Sequence, residues 1–257
     1  MKLENILTDI QSKVEDSNKS RRDVISDIGK MSLSAALAAL PFGLAVISNP
    51  RKVMANPTGA IDVLQFALTL EYLEDEFYRT GVNSGMFSGS DLTVIKQISK
   101  HEAEHVQLLK NAIKNSSASP GSKPEFDFTA GGNFNDVFTN PATFMALAQA
   151  FEDTGVRAYK GQAGELAGTA TLTVALQIHS VEARHASQIR RMRGDKGWIT
   201  GSDSSSLPAP AAPIYAGEDN IIQGGVDVTT ITSVSRDRIT EAFDEPLSMK
   251  EVLDIAS

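Results

Sequence analysis

The sequence predicts an all-α protein: a four-helix bundle with one long crossover between its second and third helices, followed by a C-terminal extension of irregular structure and short helices. Three observations predict it. Four segments within residues 56–194 carry apolar residues at helical spacing, bounded by Pro, Gly and capping residues. A stretch rich in Ser, Gly, Pro and Asn, residues 116–139, separates the second segment from the third. The two halves also match at an offset of 80 or 81, pairing Glu71 with Glu152, Tyr78 with Tyr159, Gln97 with Gln177 and Ile98 with Ile178. So long a loop normally argues against the elements around it, but one class of four-helix bundle requires a single long crossover. A helix of about 24 residues is ~36 Å long, a distance this loop can span.

The first helix is expected to start near Asn56-Pro57-Thr58, with proline in the first turn. It carries Ile61, Leu64, Leu68 and, one position early, Phe77, and is expected to end at Gly81. GVNSGMFSG then reads as a short turn, and Ser90 as the N-cap of a second helix that carries Val94, Ile98, His105, Leu108, Leu109 and Ile113. Asn140-Pro141, an N-cap followed by proline at the first helical position, opens the third helix. That helix carries Phe144, Leu147, Ala148, Phe151 and Tyr159, and Gly161 and Gly164 are expected to close it. The fourth runs from about Thr169 to Arg193, with Gly194 as its stop. Arg190, Arg191 and Arg193 fall in its last turn, where the helix dipole favours positive charge, so this basic cluster needs no phosphate ligand.

Composition narrows the function. Hydrophobic residues make up 41% of the 257 and charged residues 22%, as in ordinary globular proteins. There is no cysteine, which removes disulfides, thiolate zinc sites, iron–sulfur centres and thiol catalysis. A net charge of −8 argues against nucleic acid as a partner. The charge is uneven: residues 1–55 carry eight basic and six acidic residues, and the remainder 16 and 26. A solvated acidic surface accounts for that excess, and bound cations would offset part of it.

Six residues in the helical region carry the chemistry. Glu71 stands alone, Glu102 and His105 follow as Glu-x-x-His, Glu152 stands alone, and Glu182 and His185 repeat Glu-x-x-His. Residues three apart on a helix are neighbours, so each Glu-x-x-His projects a carboxylate and an imidazole toward one point. One such motif in a Glu-rich helix is an ordinary solvated face. Two of them, each about 30 residues after a Glu on a predicted helix and set among apolar positions, make a two-metal site the better reading. Four carboxylates and two neutral imidazoles balance two divalent cations, and mixed oxygen and nitrogen donors with open positions suit iron, or alternatively manganese. Zinc would bind such donors but suits the site less well. The Glu-x-x-His pairs are expected as terminal ligands, with Glu71 and Glu152 either terminal or bridging. Tyr78 and Tyr159 each lie seven residues after a lone Glu, on nearly the same face. Each is either a core tyrosine or a phenol that bonds a ligand carboxylate or relays an electron. Glu74 could bind an additional metal, although its counterpart in the second half is Gly155. His101 and His179 read as surface or bundle-edge residues.

The segments LTLEYLEDEFYRTG, KHEAEHVQLL, AFEDTGVRAYKG and HSVEARHASQIR resemble the ferritin-like domain family, and most of all its exported bacterial branch with a C-terminal extension. The resemblance covers residues 58–194. It implies a di-iron or di-manganese centre and, since the family includes ferroxidases, peroxidases and oxygenases, redox chemistry with dioxygen or peroxide. It does not decide whether this chain is an enzyme. The alternative is a structural or stress-protective envelope protein, or a subunit of a larger complex, in which metals only staple the bundle. The absence of cysteine argues against a built-in rubredoxin-type iron centre, while manganese catalase uses similar ligands. A homo-oligomer is compatible with the pattern. A 24-subunit storage cage is disfavoured by the irregular crossover and the long extension.

Residues 1–55 resemble a twin-arginine export signal: Arg21-Arg22, an uncharged run over residues 31–48, and Val53-Met54-Ala55 at a cleavage site. Left uncleaved, residues 31–48 would be the one contact with a membrane. The expected location is the periplasm or cell envelope. The expected division is therefore residues 1–55 as signal, 56–194 as bundle and 195–257 as an extension packed on it. Within the extension, residues 202–213 read as a linker, IIQGGVDVTTI as an extended strap, and Arg236–Asp244 and Met249–Ala256 as short helices.

Overall fold

The structure, a computed structural model, describes residues 46–47, 59–204 and 207–256. The described residues all belong to one compact unit, which falls within Leu40–Ser257. Residues 1–45, with the paired arginines and most of the uncharged run, lie outside the described residues, as does the cleavage motif. Among the described residues no helix is long and apolar enough to cross a membrane.

Four long helices form the bundle: α1 (Ala60–Asn83), α2 (Gly89–Asn115), α3 (Pro141–Gln162) and α4 (Ala170–Met192). α1 packs chiefly on α2 and α3 chiefly on α4, the two hairpins expected from the internal match. A short strand, β1 (Val46–Ile47), pairs antiparallel with β2 (Phe126–Asp127) in the crossover. The crossover is held by its aromatics. Phe128 and Phe138 pack on Phe77, which stacks on Phe144 at 4.2 Å between ring centroids. This aromatic cluster fills one part of the interior, and Val63, Leu64, Leu68, Leu109, Ile113 and Ile178 fill another.

Three helix boundaries differ from the sequence expectation. Gly81 does not end α1; it lies inside the helix, where a Cβ would fall 2.3 Å from Phe144 Cε2. Gly161 likewise lies within α3, where a Cβ would fall 1.9 Å from the Leu247 carbonyl oxygen. Both glycines are packing residues that admit a neighbour, and their helix-breaking tendency is outweighed by the contact. The N-cap of α2 is Ser88, in extended conformation, instead of Ser90. At α3 the expectation holds: the Asn140 side chain accepts a hydrogen bond from the Ala142 amide at 3.0 Å, with Pro141 in the first turn.

The extension is more ordered than expected. The supposed linker winds into a 3₁₀ helix at Ala209–Tyr215 that buries Ala211, Ile214 and Tyr215. The supposed strap is a two-stranded hairpin, β3 (Ile222–Gln223) with β4 (Val226–Asp227), turned at Gly224-Gly225, which both take positive φ. α5 (Arg236–Thr240) and α6 (Met249–Ile255) follow, and a capping box between Ser248 and Glu251 opens α6. α3 is buried on nearly all faces because this extension covers its outer side. The Arg157 guanidinium donates to the carbonyls of Ile214, Ala216 and Glu245 and pairs with Glu218 at 2.8 Å. The Leu247 amide donates to the Arg157 carbonyl at 3.0 Å.

Candidate metal centre

The 3.6-residue period turns one side of each long helix inward, and six carboxylate or imidazole side chains occupy those inward positions: Glu71 on α1, Glu102 and His105 on α2, Glu152 on α3, Glu182 and His185 on α4. The four glutamates have no exposed surface, and His105 and His185 are 9% and 4% exposed. Unpaired carboxylates would not be stable in such a place. Here they converge on the two imidazoles. His105 Nδ1 lies 3.1 Å from Glu71 Oε2, 3.1 Å from Glu102 Oε2 and 3.2 Å from Glu182 Oε1. His185 Nδ1 lies 2.9 Å from Glu102 Oε1 and 3.3 Å from Glu152 Oε2.

These residues form two overlapping groups that could each hold a metal ion, with ligand atoms within 4.8 Å of one another. One is Glu71, Glu102, His105 and Glu182; the other is Glu102, Glu152, Glu182 and His185. Among the candidate donors, the Glu-x-x-His carboxylates, Glu102 and Glu182, fall in both groups, and the lone glutamates, Glu71 and Glu152, each in one. Spacing could not tell these roles apart, because bridging depends on where the facing helix places its own carboxylate.

The donor set fits a pair of cations. Glu102 Oε1, Glu152 Oε2, both Glu182 oxygens and His185 Nδ1 are fully buried without an aligned hydrogen bond, although several lie within 3.3 Å of one another. Atoms that crowd together without bonding each other are aimed at a common point, as ligands are. The electrostatics agree. Burial, then the charge of Glu182, drives Glu102 well above the usual carboxylate range, and burial also raises Glu182. Burial alone would depress His185, yet Glu152 and Glu102 push it up to about 11. His105 is raised further by Glu102, Glu182 and Glu71 against the same burial. Without a metal the cluster must hold protons to limit its charge, and divalent cations would replace them.

The two tyrosines bond the lone glutamates crosswise. Tyr78 donates to Glu152 Oε1 and Tyr159 to Glu71 Oε1, each at 2.5 Å. Each hydroxyl thus reaches the other half's glutamate and takes the oxygen turned away from the histidine. Glu74 is buried beside the centre. Burial, then Glu182, Glu152, Glu102 and Glu71, holds its carboxyl well above the usual range. Its counterpart Gly155 makes the room: a Cβ there would lie 3.3 Å from Glu182 Oε2 and 3.4 Å from Glu74 Oε1.

His101 is partly exposed at the bundle edge, as expected, but it also touches the centre. Its Nδ1 lies 2.8 Å from His185 Nε2, the rings stack, and its Nε2 lies 2.7 Å from the Gln97 amide. A helical wheel places His101 about 100° from Glu102; α4, arriving from the other half, brings His185 to it. His179, in contrast, is half-buried and outside both groups. Arg190 also departs from expectation. It is 2% exposed and grips Asp153 with two hydrogen bonds of 3.1 and 2.5 Å, and Tyr215 donates to the same carboxylate at 2.5 Å. This buried network ties α3, α4 and the extension together one residue from Glu152. Asp153 and Arg190 were legible only as charges on helices; nothing local marked them as partners.

A family profile described as a ferritin-like domain matches residues 59–195, just over half of the chain. No curated protein sequence matches the chain significantly.

Proposed function

The chain belongs to the ferritin-like domain family, and from that membership we propose that it is an exported di-metal redox protein, holding two iron or manganese ions that react with dioxygen or peroxide. The observation that carries this reading is the pair of buried Glu/His groups sharing Glu102 and Glu182. In it, Glu71, Glu102, His105 and Glu182 hold one ion, and Glu102, Glu152, Glu182 and His185 the other. The chemistry such a pair supplies is two-electron reduction of dioxygen or peroxide, one electron from each ion.

The protein's part is geometry, charge and access. Tyr78 and Tyr159 each hold one oxygen of a terminal glutamate and leave the other free to bind. With His185 Nδ1 turned to the carboxylates, its Nε2 meets His101 Nδ1, and the Gln97 Nε2–H donates to His101 Nε2, so these two side chains hold the His185 ring in place. The corresponding position in the other half is Val181, so only the His185 side has this support. The apolar clusters on both sides exclude bulk water. Export is supported by Arg21-Arg22, the uncharged run and Ala55. A twin-arginine route carries folded proteins, so the ions can be loaded before export.

The test is metal analysis of the purified protein, then anaerobic loading with Fe(II) and an oxygen pulse. Two ions per chain and stoichiometric oxygen consumption are expected. A metal-filled protein that consumes no oxygen or peroxide would leave only the stapling role. Mass spectrometry of the mature N-terminus checks export, with cleavage after Ala55 expected.

A further inference from the structure

A small cavity lies beside the centre on the side covered by the C-terminal helix. Its walls are Leu70 and Leu73 of α1, Phe151 and Thr154 of α3, and Val252 and Ile255 of α6. Its volume is about 40 Å³, where a single water needs roughly 10–15 Å³. The lining is apolar but for two residues. The Thr154 hydroxyl is spent on the Ala150 carbonyl at 2.7 Å. The other is Glu74, which is buried.

Gly155 also lines the cavity, and it is the point where the cavity meets the centre. A methyl group there would lie 3.3 Å from Glu182 Oε2 and 3.4 Å from Glu74 Oε1, so this is where the centre's carboxyl groups come up against the cavity wall. The lining offers almost no polar atom to compensate an ion for lost hydration and suits a small apolar molecule.

We propose that this cavity is a binding site for a small uncharged molecule of the dioxygen class, held next to Glu182 before it reacts, with the Glu74 carboxyl as the polar group it meets. The proposal rests on the reading that dioxygen is a co-substrate. It gives the C-terminal extension a role in function, since α6 supplies one wall.

Crystals of the metal-loaded full-length protein under xenon pressure test the cavity without reference to activity. One xenon site is expected there, and it is expected to be lost in Thr154→Phe and in Ala256→Phe, which fill the space from α3 and from the rim. Stopped-flow mixing of the Fe(II)-loaded protein with dissolved oxygen should show a roughly tenfold slower reaction in these variants, equivalent to about 1.4 kcal/mol of added barrier, with metal content unchanged. Absence of xenon from the wild-type cavity, or unaltered rates in variants that exclude xenon, would overturn the proposal. If the wild-type protein consumes no oxygen, the redox reading fails by itself, and xenon occupancy then decides the cavity alone.

Discussion

Exchanging a shared carboxylate should cost more than exchanging a terminal one, and the structure sets the ratio. Glu71 belongs to one group of four donors, and its replacement by Gln leaves Glu102, Glu152, Glu182 and His185 intact. Glu102 belongs to both groups, so Glu102→Gln leaves each with three of its original donors. If losing one donor weakens a site by about 100-fold, each affected site forfeits about 2.7 kcal/mol of metal-linked stability. Glu71→Gln then forfeits that amount once and Glu102→Gln twice, roughly 5 kcal/mol, or about 10–20 °C in Tm for a chain of this size. The metal-free proteins should behave differently. Burial and Glu182 already hold the Glu102 carboxyl well above its usual range, so near-isosteric Gln should change apo stability little. Calorimetry with and without Mn(II), which does not oxidise in air, together with metal stoichiometry, measures both effects. Stoichiometries near two for wild type, one for Glu71→Gln and below one for Glu102→Gln are expected. Equal losses in the two variants, or two tightly held ions in Glu102→Gln, would refute the shared-carboxylate geometry.

Gly161→Ala should undock the extension, because the added Cβ meets the Leu247 carbonyl oxygen at 1.9 Å. The Leu247 amide bond, about 1 kcal/mol, and the burial of Leu247, Met249 and Val252, about 1.5–3 kcal/mol each, are then at stake; a lower urea midpoint and faster proteolysis within residues 195–257 check this. Arg190→Ala leaves Asp153 buried without its partner and should cost about 3–5 kcal/mol, whereas the double variant Asp153→Asn, Arg190→Met should cost less; a double-mutant cycle by urea unfolding measures the difference. Glu218 should make stability fall with rising pH. Burial lifts its pKa from 4.5 to about 7, against the pull of Arg157 and the Glu245 amide, with Asp244 and Glu245 adding to the rise. The folded state then holds a proton that the unfolded state releases, a contribution present below pH 4.5 and lost as pH climbs through about 7, worth up to about 3 kcal/mol. Glu218→Gln should flatten that part of the pH–stability curve between pH 5 and 8.

Much of this protein was legible in its sequence because the signals were local. The long helices show through a 3.6-residue period, the start of α3 through Asn140-Pro141, and the six centre residues through i, i+3 spacing repeated at a fixed offset. Each depends on residues within a few turns of one another, so tertiary contacts reinforce it and do not change it. Local signals misled where a distant group decided the outcome. Gly81 and Gly161 read as helix ends because glycine favours them, but Phe144 and the Leu247 carbonyl need the space. Arg190 read as dipole compensation, yet Asp153 from another helix buries it. The linker near residue 209 read as polar and proline-rich, yet Ile214 and Tyr215 are drawn into the core, where Arg157 holds the backbone at Ile214 and Ala216.

By itself, then, the sequence determined that four helices turn two Glu-x-x-His pairs and two lone glutamates inward, because the helical period alone sets which side chains share a face. Only the tertiary structure decided which carboxylates serve both groups, that each tyrosine reaches across to the other half's glutamate, and that His101 meets His185. Those relations depend on how far one helix is rotated and shifted against its neighbour, and packing between residues far apart in the chain sets that offset.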